Sequence, residues 1–476
     1  MMDITNFQII YHTRRCNILE LSISFTGEAS KYVQIYEEIK QAVINNKLPA
    51  HEQLPSKRTL AKTLDVSVHT IKEAYEQLLA EGYIYSKERS GYFIAPFEFE
   101  WGQQLKPHTS TAITPITYDI KFDFNNGHVD NEAFPISIWH KLLKKHFNVN
   151  NLTTSPWQGE ALLRTEIARY VERSRGVACE VSQVFVYSGT QSQLQALCHF
   201  FGPKTHVGLE EPGFKRVRAI LQQCGLTTHA IPVDHSGVTI PKKPIHMLYT
   251  TPAHQFPLGM VMPVERRAAL LQWAISDKAY IFEDDYDSEF RYKGLPIPSL
   301  AKMDQLQRVI YSGTFSKTLI PSLRISYIIL PKSLVEDFVL FNQEQKSVVS
   351  KIDQLVIADF IAQGFFDKHL AKMRTIYRKK QQTLLAAINA NFSEEFEVIG
   401  EKSGLHIVMK LPKRLSEQTA ISLAREAGIK VYPCSPSYQQ DSKHAMVIIG
   451  YGGLTFEQIK EGTALLATVW QSSTPH

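Results

Sequence analysis

RVIYSGTFSKTLIPSLR, residues 308–324, is a short apolar strand that runs into glycine, threonine, serine and then Lys317, with Arg324 a little beyond. A lysine in isolation is usually a solvated surface residue. Lys317 differs: its sequence neighbours are small, hydroxyl-bearing or apolar, and no nearby carboxylate pairs it. An amine in a partly desolvated pocket has a lowered pKa and can attack an aldehyde.

Working outward, similar strand tips recur. QVFVYS (183–188), THVGLEE (205–211), HMLYTTP (246–252) and AYIFEDDY (279–286) alternate with helical segments to about residue 330. This alternation predicts a mostly parallel sheet with helices on both faces. Ligands in such sheets sit at the carboxyl ends of the strands. QVFVYS leads into SGTQSQLQ, so Gly189 and Thr190 open a helix whose free N–H groups would hold an anion. AYIFEDDY brings carboxylates and Tyr286 to a strand tip, and HMLYT leads into TPAHQFPLG (251–259). An ionised acid there would keep a pyridine nitrogen protonated and the ring an electron sink. Thr314, Arg324 and the Gly189/Thr190 helix start would hold a phosphate. Together these residues describe pyridoxal 5′-phosphate bound to Lys317 as a Schiff base. The tail after about residue 385 (EEFEVIG, GLHIVMKL, IKVYPC, AMVIIGYGG) reads as a smaller mixed α/β unit.

Upstream the pattern is different. KYVQIYEEIKQAVINN (31–46) carries apolar residues at helical spacing. LPSKRTLAKTL (54–64) places Ser56 as an N-cap, and SVHTIKEAYEQLLAEG (67–82) begins at the cap candidate Ser67 and stops at Gly82. YIYSKERSGYFIA (83–95) reads as a hairpin turning at Arg89, Ser90 and Gly91. Three short helices and a ribbon make a winged helix-turn-helix. Its third helix would enter the major groove with Ser67, Val68, His69, Thr70 and Lys72 toward base edges. Arg58 and the wing residues Arg89 and Gly91 would meet phosphates. Residues 29–95 hold nine Lys/Arg against eight Asp/Glu, so the module is nearly neutral. From periodicity alone, a helical interaction domain fits as well.

The chain has 476 residues, 44% hydrophobic and 21% charged, with a formal net charge of +5. That composition excludes a disordered chain or a collagen-like fibre, and the mild total charge requires any basic surface to be local. Its five cysteines are scattered and form no C-x-x-C pair, which argues against a zinc site or disulfide framework and for a reducing compartment. MMDITNFQIIYHTRR has its acid before and its basic pair after the apolar run, the reverse of a signal peptide. No apolar run reaches the roughly 18 residues of a membrane span. The expected location is the cytoplasm, with no metal site and no membrane partner.

LPSKRTLAKTLDVSVHTIKEAYEQLLAEGYIYSKERSGYFIA (54–95) resembles the GntR-type winged helix. It departs where GntR domains commonly carry Arg after the Val-Ser pair; here Val68 and His69 follow. From Asp119 onward the chain resembles fold-type I aminotransferases. The two-domain whole resembles the MocR/GabR regulators, in which a GntR head is fused to an aminotransferase-like body. The motifs carrying this are FDFNNGHVDNEAFP with Trp139, LLRTEIARYVERSRGVAC, TPAHQFPLG, EDDYDSEFRY and GTFSKTLIPSLR. The resemblance implies that Lys317 is the Schiff-base lysine, Asp284 faces the pyridine nitrogen and Tyr286 the ring hydroxyl. It also implies that Phe214 in EEPGF stacks on the ring, that Thr314 and Arg324 bind phosphate, and that His254 and Gln255 line the pocket near the ring hydroxyl. Two departures stand out: Ser326 replaces a usual glycine, and no arginine follows Arg425, where such proteins grip a substrate carboxylate. Ser435 and Ser437 occupy the expected place, and Arg216 is a possible substitute.

The expected fold class is α/β. A leader (1–28) precedes a winged helix (29–96), a Thr- and Pro-rich linker (97–118) and an aminotransferase-like body (119–476) with a small subdomain over about 385–476. The expected function is a transcription regulator that binds double-stranded DNA as a homodimer and senses a small effector. That effector is an amine or amino acid forming an external aldimine, or pyridoxal 5′-phosphate itself. No catalytic residue beyond Lys317 is expected. The alternative is an active aminotransferase with an added DNA-binding head.

Overall fold

The structure, a computed structural model, describes residues 7–12, 18–23, 25, 29–96, 118–292, 294, 297–440 and 444–472. It divides into two units, Met1–Pro115 and Ile116–His476. The expected linker falls outside the described residues except at Tyr118.

In the first unit, β1 (Phe7–His12) and β2 (Ile18–Ile23) pair antiparallel. The reading of residues 1–28 as a leader does not include this pair. α1 (Lys31–Ile44), α2 (Lys57–Thr63) and α3 (Val68–Ala80) follow, then β3 (Ile84–Lys87) and β4 (Gly91–Ile94), paired antiparallel. Ser56 Oγ accepts the Thr59 N–H at 3.1 Å and Ser67 Oγ that of Thr70 at 3.1 Å. Each cap satisfies a donor that a helix start leaves unpaired, a contribution of about 1 kcal/mol. Gly82, at φ +80°, turns the chain out of α3. Ile35, Ile39, Leu60, Ile71, Tyr75 and Leu78 bury one shared core. The winged helix-turn-helix read from the sequence is thus present.

The second unit begins with β5 (Phe122–Asp123), α4 (Ile136–His146), α5 (Ala161–Arg175), β6 (Val184–Tyr187) and α6 (Thr190–Phe201). It continues through β7 (His206–Glu211), α7 (Lys215–Gln223), β8 (Thr227–Asp234), β9 (Gly237–Val238) and β10 (Met247–Thr250). Next come α8 (Val264–Ser276), β11 (Tyr280–Asp285), β12 (Val309–Thr314), β13 (Ser326–Ile329) and the helices α9 (Lys332–Phe341), α10 (Lys351–Ala362) and α11 (Phe365–Asn391). The large sheet has eight strands in the order β6-β13-β12-β11-β10-β7-β8-β9. Its central pairs are parallel; β13 runs antiparallel to both β12 and β6, and β9 antiparallel to β8.

Both faces of this sheet are covered. Val184, Val186, Tyr311, Tyr327 and Ile329 join residues of α5 and α10 in one core. Their strand neighbours Phe185, Tyr187, Ile310 and Ile328 join residues of α6 and α7 in another. This is the period-two alternation of a strand buried on both sides. Each fully buried aliphatic side chain there contributes about 1.5–3 kcal/mol.

The small lobe holds β14 (Glu397–Ile399), β15 (His406–Lys410), α12 (Glu417–Glu426), β16 (Ile429–Lys430), β17 (Tyr432–Pro433), β18 (Met446–Gly450) and α13 (Phe456–Gln471). Its sheet order is β14-β15-β18-β17. β5 pairs with β16, and Phe124 enters the lobe core beside Ile407, Ile449 and Trp470. The start of the body therefore belongs physically to its end, an attachment no local pattern reveals.

Candidate functional site

β11 delivers three consecutive acids to its carboxyl end, and strand alternation sends them to different partners. Glu283 accepts the Leu300 and Ala301 N–H groups at 2.7 and 2.8 Å. Asp285 accepts from Arg175 Nε and from the Tyr311 hydroxyl, each at 2.6 Å. The Arg175–Asp285 ion pair is almost wholly buried, with side chains 3% and 1% exposed. Asp284 has no ion pair among the described residues. Tyr249, on the adjacent strand β10, donates its hydroxyl hydrogen to Oδ2, while Oδ1 is buried without a partner. Burial pushes the Asp284 carboxyl up to about 7, with the Tyr249 hydrogen bond opposing.

Lys317 follows β12 and donates to the Asn126 carbonyl, which the FDFNNGHVD loop supplies. It keeps some solvent exposure, yet burial draws its amine down to about 8, with the charge of Asp287 opposing. His254, in the loop after β10, has Nδ1 at 3.0 Å from both oxygens of Asp287, and its Nε2 is buried without a partner. The Tyr286 hydroxyl donates to the His254 carbonyl at 2.9 Å. Phe214, capping α7, stacks on Phe256 at 3.8 Å and 6° and meets Tyr286 edge-on at 5.5 Å. The Gln255 amide nitrogen is taken up by Glu210 and by the Pro212 and Phe256 carbonyls. It organises its own loop.

Gly189 caps α6 at φ +82°, and a β-carbon there would run into the Arg324 guanidinium. The arginine therefore lies over a helix N-terminus that only glycine can shape. Arg324 is exposed, sits at φ +50°, and has no ion-pair or hydrogen-bond partner among the described residues. Thr314 Oγ1 accepts the Ser316 N–H at 3.2 Å, and Ser316 Oγ is buried without a partner. Gly189, Thr314, Ser316 and Arg324 thus offer donors to an anion.

Ser435 and Ser437 lie in the small lobe. Ser435 Oγ donates to Glu417 Oε1 at 2.5 Å, and the Ser437 carbonyl accepts the Gly213 N–H at 2.9 Å. Arg216 is exposed on α7.

In the winged unit, Arg58, Ser67, His69, Lys72, Arg89 and Gly91 are exposed and Thr70 is half-buried. Val68 is 47% exposed on the same first turn of α3. His69 and Lys72 lie 3.5 and 3.6 Å from Glu73 and Glu76, whereas Arg58 and Arg89 have no ion pair among the described residues. Gln53 Nε2 donates to the Ser90 carbonyl at 2.6 Å and ties the wing to the chain before α2.

Sequence reading left Asp287, Tyr249, Ser316 and His406 unassigned. Asp287 carries the one available signal, being the fourth acid of EDDYD. His406 sits on β15 as a strand residue, but its ring lies 5.1 Å from His254 and its Nε2 3.0 Å from the Pro257 carbonyl.

Residues 119–447 match the family described as aminotransferase class I and II, and residues 31–94 that of bacterial regulatory proteins, gntR family. The uncharacterized HTH-type transcriptional regulator YhdI of Bacillus subtilis (strain 168) is 43% identical over 449 residues, 92% of this chain and 95% of that one. The probable rhizopine catabolism regulatory protein MocR of Rhizobium meliloti is 32% identical, covering 90% and 91%. LysN, an α-aminoadipate aminotransferase of Thermus thermophilus solved with N-(5′-phosphopyridoxyl)-L-leucine, superposes with a TM-score of 0.68 at 24% identity, covering 74% of this chain and 92% of that one. Fold and strand-tip site define a DNA-binding regulator whose second unit has the aminotransferase architecture. The chain belongs to the MocR/GabR-type family of transcriptional regulators, a GntR winged helix joined to a fold-type I aminotransferase-like domain.

Proposed function

We propose that the body binds pyridoxal 5′-phosphate through Lys317 and uses it to sense a small amine or amino acid, or the cofactor itself, so that occupancy changes how the winged helix engages DNA. The observation that carries this reading is the buried, unpartnered Oδ1 of Asp284, in a site that also holds an amine drawn down to about 8. An acceptor buried without a donor costs free energy unless a ligand supplies one. Bound there, the cofactor supplies an aldehyde that condenses with primary amines. Lys317 provides the attacking amine and Asp284 Oδ1 accepts the pyridine N–H. Arg324, Thr314, Ser316 and the Gly189/Thr190 helix start hold the phosphate. Phe214 gives an aromatic wall, while Tyr286 and His254 close the ring-hydroxyl side and Gln255 fixes their loop.

In the head, Ser67, His69, Thr70 and Lys72 face the major groove, and Arg58, Arg89 and Gly91 the backbone. The regulator acts as a homodimer in the cytoplasm. Phe147, Val149 and Leu152 are 67%, 83% and 62% exposed, and Val348 is 63% exposed close by, where Lys351 donates to Thr153. Such an apolar surface suits a second copy. Sensing follows if the effector binds two arrangements of the body unequally.

The test is a spectral and thermal-shift screen with pyridoxal phosphate, then amines and amino acids, coupled to DNA affinity. Uptake of the cofactor together with an effector-dependent change in DNA affinity is expected. A protein that stays colourless after reconstitution, or DNA affinity indifferent to every ligand that binds, contradicts the reading.

A further inference from the structure

α3 turns one face to the head core and the other to solvent. Ile71, Ala74, Tyr75 and Leu78 are fully buried, and the Tyr75 hydroxyl donates to the Pro55 carbonyl at 2.9 Å. These contacts fix the rotation of the helix about its own axis, and with it the residues that point away from the core. Toward the start of the helix these are Val68, His69, Lys72, Glu73 and Glu76, all exposed. His69 Nε2 lies 3.5 Å from Glu73 and Lys72 Nζ 3.6 Å from Glu76. Carboxylates on the second and third turns resist close approach of phosphates, so the first turn is the part of α3 that reaches deepest into a groove.

On that first turn the Ser67 and Thr70 hydroxyls are bonded to each other at 2.8 Å, and Ser67 Oγ accepts the Thr70 N–H at 3.1 Å. Both hydroxyls are engaged in the cap. Val68 stands apart from them. It is 47% exposed, whereas Val66, two residues earlier, packs against the head core. A valine makes no hydrogen bond, loses free energy by facing water, and is stiff about χ1, so it presents a preformed apolar contact. Among the donors and acceptors on base edges in the major groove there is one apolar group, the 5-methyl of thymine.

We propose that Val68 selects a thymine by packing on its 5-methyl group, so that the preferred DNA carries a thymine under the first turn of α3. The proposal rests on the reading above that α3 enters the major groove, and it is independent of whether the body binds a cofactor. It adds which base is chosen and by which contact. The other bases are disfavoured by more than the missing methyl. Cytosine sets an amino donor in the groove, guanine two acceptors and adenine one of each, and a valine pressed against any of them leaves those groups without water or partner.

The experiment begins with duplexes selected from a random-sequence pool by the full-length protein. Each thymine of the selected duplex is then replaced in turn by deoxyuridine, which keeps every hydrogen-bonding group and lacks only the methyl. Native affinity is expected to fall about four-fold at one thymine of each recognised repeat, the effect of one buried methyl-sized group. Val68→Ala should bind thymine and uracil at that position alike, with a melting curve to show that it folds. If it does not fold, Val68→Ser takes its place with the same expectation. Selection is repeated with Val68→Ala, His69→Ala and Lys72→Ala. Uracil tolerated at every thymine, or a methyl sensed as strongly by Val68→Ala as by the native protein, overturns the proposal. The reading of α3 survives that result if any of the three changes alters the selected sequence. No selected sequence at all, or one that none of the three changes alters, overturns that reading and the proposal with it.

Discussion

The Tyr249 hydroxyl donates to one oxygen of Asp284 and leaves the other buried without a partner. The pair spans neighbouring parallel strands, β10 and β11, so the sheet itself aims the free oxygen. Hydrogen bonds to charged groups contribute about 1.5–3 kcal/mol, or roughly 10- to 100-fold in affinity. Asp284→Asn should weaken pyridoxal phosphate binding by that factor in an absorbance titration. Tyr249→Phe removes the bond that holds the Asp284 carboxyl down, so its pKa rises further above about 7. More of the acid is then protonated at neutral pH, and binding by this variant should weaken as pH falls. Native affinity in both variants would remove Asp284 from the site.

Lys317 makes a second expectation quantitative. An amine attacks only when neutral, and burial draws this one down to about 8 against an ordinary 10.5. The rate of cofactor capture by the unloaded protein should rise with pH and level off just above pH 8. A rate still climbing toward pH 10 would mean an ordinary solvated lysine.

Gly189 tests the anion end. Its φ of +82° is strained for any side chain, and a β-carbon would displace Arg324. Gly189→Ala should weaken binding of pyridoxal phosphate far more than binding of pyridoxal, because only the former carries the phosphate. Equal losses for both would place the phosphate elsewhere.

Arg175 and Asp285 bear on stability rather than binding. Removing one partner of a buried ion pair strands the other, at a cost of about 3–5 kcal/mol. Arg175→Met should therefore lower the denaturant midpoint of the body sharply. A change below about 1 kcal/mol would show that Asp285 finds other compensation.

In the head, Arg58 has no ion-pair or hydrogen-bond partner for its side chain among the described residues. Arg58→Ala should weaken binding to all DNA sequences alike and reduce the salt slope by about one unit. An unchanged slope removes Arg58 from the phosphate contacts.

Much of this architecture is legible in the sequence because its parts are local. Strands β7, β10, β11 and β12 are apolar runs ending in Thr or acid, β6 runs into Ser188 and Gly189, and Ser56 and Ser67 announce their helices. Alternation along EDD also separates Asp284 from Glu283 and Asp285. What stays hidden is what only tertiary structure assembles. β13 is four residues following a loop, and its antiparallel place between β6 and β12 has no local signature. β5 is two residues that gain meaning by pairing with β16. His254, Asp287 and His406 come from three separate elements and meet only in the folded body.

The central claim is that Lys317 is the amine that captures pyridoxal phosphate. Borohydride reduction of the loaded protein followed by peptide mapping tests it most directly. A single pyridoxyl adduct on the peptide carrying Lys317, absent together with the visible band in Lys317→Ala, is the expected result. An adduct on another lysine, or none, would contradict it.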